Sequence, residues 1–178
     1  NKWTPEIFTE KIKDVNYSTN LCPIFQMPYY NSNNKIYWAI KWVLHFLFQY
    51  KDFKLQKFIE NTTNVNDYDL IFCSISNLFP ITTAARLSKK YNKPLIIDLR
   101  DIDEQWGKHK YLTHSISKSS TINNFIYKQI ERLNIKRRNK ALLQANSVTT
   151  ISPWHRDFIK NINNNTHLIY NGYNADIF

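Results

Sequence analysis

The sequence predicts an α/β fold built on a doubly wound, mostly parallel sheet. Three observations carry that prediction. Short apolar runs recur at Asp69 to Ser74, Leu95 to Ile97 and Val148 to Ser152, each bounded by polar or turn-forming residues. Stretches of helical period lie between them. The first two runs and the helix between them fit within about thirty residues, the size of a βαβ unit, which implies parallel pairing and a right-handed crossover.

Composition sets the frame. The chain has 178 residues, 43% of them hydrophobic and 15% aromatic, so a single globular domain over residues 1–178 with a sizeable core is expected. The net charge of +10 invites an anionic partner: nucleic acid, an acidic membrane surface or a phosphorylated small molecule. Basic residues are spread out, apart from Arg132, Lys136, Arg137, Arg138 and Lys140, which read as a solvated helix face. Two cysteines, Cys22 and Cys73, fit a reducing compartment better than a disulfide scaffold. Residues 1–20 are too polar for a signal peptide, and no apolar run is long enough to span a bilayer. The expectation is a soluble, cytoplasmic protein.

In order, Glu6 to Thr9 reads as a strand after a turn at Trp3 to Pro5, and Pro23 to Met27 as a short strand near a sheet edge. From Lys35 to Phe53 the sequence is almost wholly apolar and aromatic, with Lys41, His45 and Gln49 at four-residue spacing. It predicts a helix with one narrow polar stripe, packed between other elements. The alternative is a helix lying in a membrane interface, with Trp38, Trp42 and Phe46 as anchors. Lys54 to Glu60 continues or restarts the helix, and Asn61 to Asp67 is a polar loop.

Asp69 to Ser74 is a buried-type strand with Ser74, Ser76 and Asn77 at its carboxyl end. Pro80 sits near the start of a helix carrying Ile81, Ala84, Ala85, Leu87 and Tyr91, which Asn92 ends. Pro94 opens the next strand, Leu95 to Ile97, closed by Asp98. The charged stretch after it, with Arg100, Asp101, Asp103 and Glu104, belongs in a cleft at the carboxyl edge of a sheet. A long helix from Ile122 to Gln144, the strand Val148 to Ser152, a Ser152-capped helix to Ile162 and the strand His167 to Tyr170 complete the chain.

Several chemistries fall away. With only Gly107 and Gly172, neither a dinucleotide fingerprint nor a P-loop can be built. No His and Cys set has zinc spacing, and His109 and His114 read as surface residues. Asp101 and Asp103 could share a divalent cation that bridges a diphosphate. Arg100 beside Asp101 suggests either a pair that organises the loop or a guanidinium offered to a hydroxyl or phosphate. Three glycosylation sequons, at Asn16, Asn61 and Asn164, read as accidents of an Asn-rich chain.

The order DLIFCS, KKYNKPLIIDLRD, NKALLQANSVTTISPWHRDFI and LIYNGYNADIF resembles the N-terminal domain of family 4 glycosyltransferases, which have the GT-B fold. The resemblance covers Asp69 to Phe178 well and the first part loosely. It implies two facing Rossmann-like domains, with the acceptor held mainly by this one and the nucleotide-sugar donor mainly by a C-terminal domain beyond Phe178. It also implies sugar transfer to an acceptor hydroxyl with retention, in polysaccharide or lipid-linked glycan synthesis, and no cofactor beyond the nucleotide-sugar co-substrate. In the family the domain opens with a central strand and a Gly-rich loop. Here Asn1 to Thr9 looks like the second strand, so the first is expected to be missing and the sheet to be gapped, rearranged or completed by a neighbouring chain.

On this reading Arg100 and Asp101 contact the acceptor in the cleft, with Ser76, Asn77, Trp154 and His155 as weaker candidates and no residue singled out as the catalytic base. Trp154 could stack on a sugar face or pack into the core. The basic charge motivates peripheral binding at the anionic inner membrane face. Two rivals remain: a GT-A type, metal-dependent transferase using Asp101 and Asp103, and a non-catalytic basic module binding nucleic acid. Nucleic acid is not the expected partner, because the aromatics concentrate in an apolar helix instead of among the basic residues.

Overall fold

Parallel β-structure organises both parts of the chain. The computed structural model describes residues 3–11, 21–28, 35–75, 78–102 and 121–172, with backbone alone at residues 35, 38, 39, 42, 46 and 121–127. The chain divides into two units, Asn1–Val65 and Asn66–Phe178. No helix among the described residues is long and apolar enough to cross a membrane.

In the first unit, β1 (Ile7–Glu10) and β2 (Ile24–Met27) pair in parallel, with Ile7 opposite Ile24 and Glu10 opposite Met27. Phe8 and Phe25 are cross-strand partners whose rings stack at 5.0 Å, the kind of pair that holds a register. Two helices follow, α1 (Lys35–Phe48) and α2 (Tyr50–Thr62). The single helix expected from Lys35 to Phe53 is therefore broken. Gln49 adopts a left-handed backbone with φ 54°, a conformation that costs a residue with a Cβ roughly 1–2 kcal/mol. Its N–H still bonds His45 O at 2.9 Å, and its own carbonyl accepts from Phe53 N at 3.1 Å, so both helices keep their hydrogen bonds up to the break. A 3₁₀ turn at Val65–Asp67 spans the boundary between the two units, within the stretch Asn61 to Asp67 read as a polar loop. Met27, Leu55 and Val65 are the first unit's buried apolar residues.

The second unit alternates strand and helix throughout: β3 (Ile71–Ile75), α3 (Ile81–Tyr91), β4 (Leu95–Leu99), α4 (Thr121–Gln144), β5 (Ser147–Thr150), α5 (Pro153–Lys160) and β6 (Thr166–Leu168). The four strands form one parallel sheet in chain order. This is the α/β, parallel-sheet class the sequence predicts. The described strands make two sheets, of two and four strands, and not one continuous sheet.

Chain-order strands have a consequence for the layers. Right-handed crossovers that always step the same way put their helices on one face. The core agrees: Cys73, Ile75, Leu95, Ile97, Leu99 and Val148 from the strands meet Ala84 and Ala85 of α3, Ala141 and Leu142 of α4, and Ile159 of α5. Winding within this unit is one-sided, where the sequence pattern suggested helices on both faces. Among the described residues of the unit, no helix covers the opposite face.

Local chemistry explains the helix ends. Asn92 terminates α3 in the left-handed conformation, with φ 51°, and its N–H bonds Ser88 O. Ser152 caps α5, its Oγ accepting from His155 N at 3.2 Å, and Pro153 occupies the first turn. The end of α4 is satisfied from a distance. Asn163 Nδ2 donates to Leu142 O at 2.7 Å and Ala145 O at 2.8 Å, while its Oδ1 accepts from Asn165 N at 2.9 Å. One side chain thus joins the end of α4 to the entry of β6. Asn146 does the same for β4, its Oδ1 accepting from Leu95 N at 2.9 Å.

Replacing Asn163 separates these contributions. Asn163→Ala takes the side-chain partner from Ala145 O and Asn165 N and one of two donors from Leu142 O, which also accepts from Ala145 N, and should destabilise the chain by about 1–3 kcal/mol in urea unfolding. Asn163→Asp should cost more, because it sets a negative charge against the carbonyl end of α4. Equal stability of the aspartate and asparagine proteins would refute this role.

Candidate functional site

The open face of the four-stranded sheet carries a polar row. Residues alternate sides along a strand, so the positions between Cys73, Ile97 and Val148 and the next buried residues point away from the helices. Those positions are Ser74, Asp98 and Thr149, and the register sets them opposite one another on β3, β4 and β5. Asp98 sits at the centre. Ser74 Oγ donates to its Oδ2 at 2.9 Å, Thr149 Oγ1 to its Oδ1 at 2.8 Å, and Arg100 Nε to Oδ2 at 3.1 Å. Both carboxylate oxygens are thereby held from three directions.

The two charged partners differ in access. The Asp98 side chain is 13% exposed and that of Arg100 is 54% exposed. Arg100 thus spends one donor on Asp98 and leaves the remaining face of the guanidinium open. Its backbone N–H bonds Ile75 O at 3.0 Å, which fixes the root of the side chain at the end of β3. A cavity of about 520 Å³ lies over this row, within the size range of small-ligand sites. Phe72, Ile151, Ile169 and Tyr170 give it apolar walls, and Asn171 and Gly172 close one end. Phe72, Ile169 and Tyr170 are exposed large side chains.

Of the candidates named from sequence, Arg100 lines this cavity. Its expected partner Asp101 does not take part in the ion pair, which is made with Asp98. These two adjacent residues, just past the end of β4, have separate surroundings. Asp101 is half-buried and acts electrostatically on His155 in the first turn of α5. His155 is buried, and its Nδ1 has no hydrogen-bond partner among the described residues. Burial pushes the imidazole below its ordinary pKa, and the Asp101 carboxylate only partly offsets this. The ring is therefore held neutral. Trp154 is exposed, stacked on Phe158 at 5.8 Å and edge-on to His155 at 5.5 Å, so it stands at the surface instead of filling the core. Ser76, Asn77 and Asp103 lie outside the described residues.

Sequence reasoning passed over Asp98, Thr149 and Tyr170. The available signal was alternation: counting by two along DLIFCS, PLIIDLR and VTTIS brings one polar residue per strand to the same level and face. No group of three or more potential ligands for a metal occurs among the described residues. A guanidinium and a fixed carboxylate side by side offer donors and acceptors to adjacent hydroxyls, and the aromatic walls offer an apolar face.

Compared with known proteins, the chain matches no protein-family model and no curated protein.

Burial of His155 has a measurable consequence. The unfolded chain protonates this histidine near its ordinary pKa of 6.5, whereas the folded chain resists until lower pH. Unfolded protein thus binds more protons between the depressed folded value and 6.5, so stability is present above that window and lost as pH falls through it. His155→Phe should flatten this acid limb of a stability-against-pH curve. An unchanged limb would show that other groups set it.

Proposed function

We propose that this chain is the acceptor-side domain of a glycosyltransferase, which moves a sugar from a nucleotide-sugar to an acceptor hydroxyl. Polysaccharide or lipid-linked glycan synthesis in the cytoplasm is the setting. The observation that carries the reading is the Ser74, Asp98, Thr149 and Arg100 cluster in an open cavity at the carboxyl ends of β3, β4 and β5. Ligand sites of open parallel sheets gather at that edge.

Each part has a task in such a reaction. Transfer to a hydroxyl requires that the acceptor be aligned before it attacks, so rigid contacts to its other hydroxyls are worth more than loose ones. Asp98 is rigid because three donors hold it. Arg100 is anchored by Asp98 yet presents free N–H groups to a ring oxygen or hydroxyl. Tyr170 and Phe72 offer apolar surface to the C–H face of a pyranose. The net charge of +10 favours approach of an anionic donor. Asp101, His155 and Trp154 form a second group, which does not line this cavity. Two free cysteines, Cys73 buried and Cys22 half-buried, fit a reducing compartment.

Saturation-transfer NMR and calorimetry with a panel of glycosides and nucleotide-sugars test the reading. A glycoside should bind, and Arg100→Ala should weaken it about tenfold or more, the usual effect of losing a hydrogen bond from a charged group. Asp98→Asn should weaken it too, by releasing Arg100. Affinity confined to nucleotides, or glycoside binding indifferent to both substitutions, would overturn it.

A further inference from the structure

The helix α1 turns its apolar side outward. At about 100° per residue, Ile36, Tyr37, Ile40, Val43, Leu44, Leu47 and Phe48 fall on one arc of about 140°. All seven are exposed, with Ile36 at 73%, Leu47 at 59% and Phe48 at 62%. No charged residue falls within that arc. The polar residues Lys41 and His45, beside it, are half-buried. The helix expected to pack between other elements thus exposes this arc, as the interfacial alternative requires. The side chains of Trp38, Trp42 and Phe46, named as membrane anchors, are outside the described residues.

Scattered exposed apolar residues are ordinary, but seven on one arc of one helix mark a surface that something covers. From this arrangement we infer that α1 lies flat in the surface of an anionic lipid bilayer, with the Ile36, Ile40, Val43, Leu44 and Leu47 arc among the acyl chains. Its 14 residues span about 21 Å, short of the roughly 30 Å hydrocarbon core. It can lie in the interface and cannot cross.

Charge selects the bilayer over a second protein. Across the two helices, residues 35–62, the chain carries Lys35, Lys41, Lys51, Lys54 and Lys57 against Asp52, which is buried, and Glu60, which accepts from Gln56 Nε2; Lys51 is paired with Glu10, so the excess positive charge rests on the other lysines. The next helix, α2, brings Tyr50, Phe53, Lys54 and Lys57 to one side at helical spacing, with Lys54 Nζ 5.0 Å from the Tyr50 ring centre. Aromatic rings beside lysines suit the headgroup layer, where the rings sit at the boundary and the ammonium groups meet lipid phosphates. A symmetric pair of these chains would set like charges against each other around the apolar arc. Anionic lipid neutralises them instead.

The inference goes beyond the proposed sugar transfer, and its readout involves no sugar. Co-sedimentation with phosphatidylcholine vesicles, with and without phosphatidylglycerol, should show at least about tenfold tighter binding to the anionic vesicles. Leu44→Glu with Leu47→Glu should abolish binding to both kinds of vesicle, while circular dichroism and melting temperature stay unchanged. Lys54→Glu with Lys57→Glu should remove the preference for anionic lipid. Three outcomes overturn the inference: no vesicle binding; a lowered melting temperature in the Leu44/Leu47 variant, which means the arc packs on protein; or a dimer that dissociates in that variant without vesicle binding. Glycoside binding at Asp98 and Arg100 stands or falls separately.

Discussion

The common register of β3, β4 and β5 is the constraint on which the site depends. Parallel strands offer evenly spaced hydrogen bonds, and the match of Cys73 to Ile97 and Ile97 to Val148 keeps one apolar layer under the helices. A slip of one residue would send Ile97 to the open face and Asp98 into the core. The charge itself therefore guards the register, because a carboxylate beneath α3 and α4 would have no water and no donor. The same alignment that buries Ile97 brings Ser74 and Thr149 to Asp98.

One-sided winding then decides where chemistry is possible. Four strands in chain order gather α3, α4 and α5 over a single layer, and the buried residues of all three meet the same strand side chains. The opposite face is left to polar and exposed apolar residues in alternation with the core. Phe72, Ile151 and Ile169 supply the walls of the cavity, while Asp98 and Thr149 supply its floor. The helix-covered side handles its own polar residues differently. Arg138 of α4 is buried and bonds Asn139 Oδ1 through Nε at 3.1 Å, whereas Arg132, Lys136 and Lys140 stay exposed as a solvated face.

Much of this was legible in the sequence, and the limits are physical. Apolar runs at β3, β4 and β5 stood out because a strand buried on its core side needs them. The ends of α3 and α5 were readable at Asn92 and Ser152, since caps act within a few residues. The carboxyl edge after β4 was correctly singled out as charged, but its pairing was assigned by sequence adjacency. Arg100 joins Asp98, two residues away, because neighbours in extended chain point apart. The break at Gln49 carried no signal, as glutamine is a good helix former and neither proline nor glycine marks the site. Asn163, which holds the end of α4 from 18 residues beyond Ala145, could not be found from local pattern at all. The outward side of α1 was equally hidden, because period gives the stripe and not the direction it faces.

Asp98 does more than guard the register. A side chain only 13% exposed has given up most of its hydration, and hydrogen bonds from two hydroxyls and a guanidinium largely replace what was lost without exceeding it. An apolar residue at 98 would extend the row begun by Ile96 and leave Ser74 and Thr149 able to reach water at the open face. Packing would be served at least as well, though the register would lose its guard. Removing the carboxylate alone, however, would free the Arg100 side chain from its ion pair and leave the guanidinium to wander over a half-exposed edge. What the cluster achieves is orientation: a cation held by one nitrogen, aimed into a cavity with apolar walls, at the end of a sheet where the ligands of such folds collect.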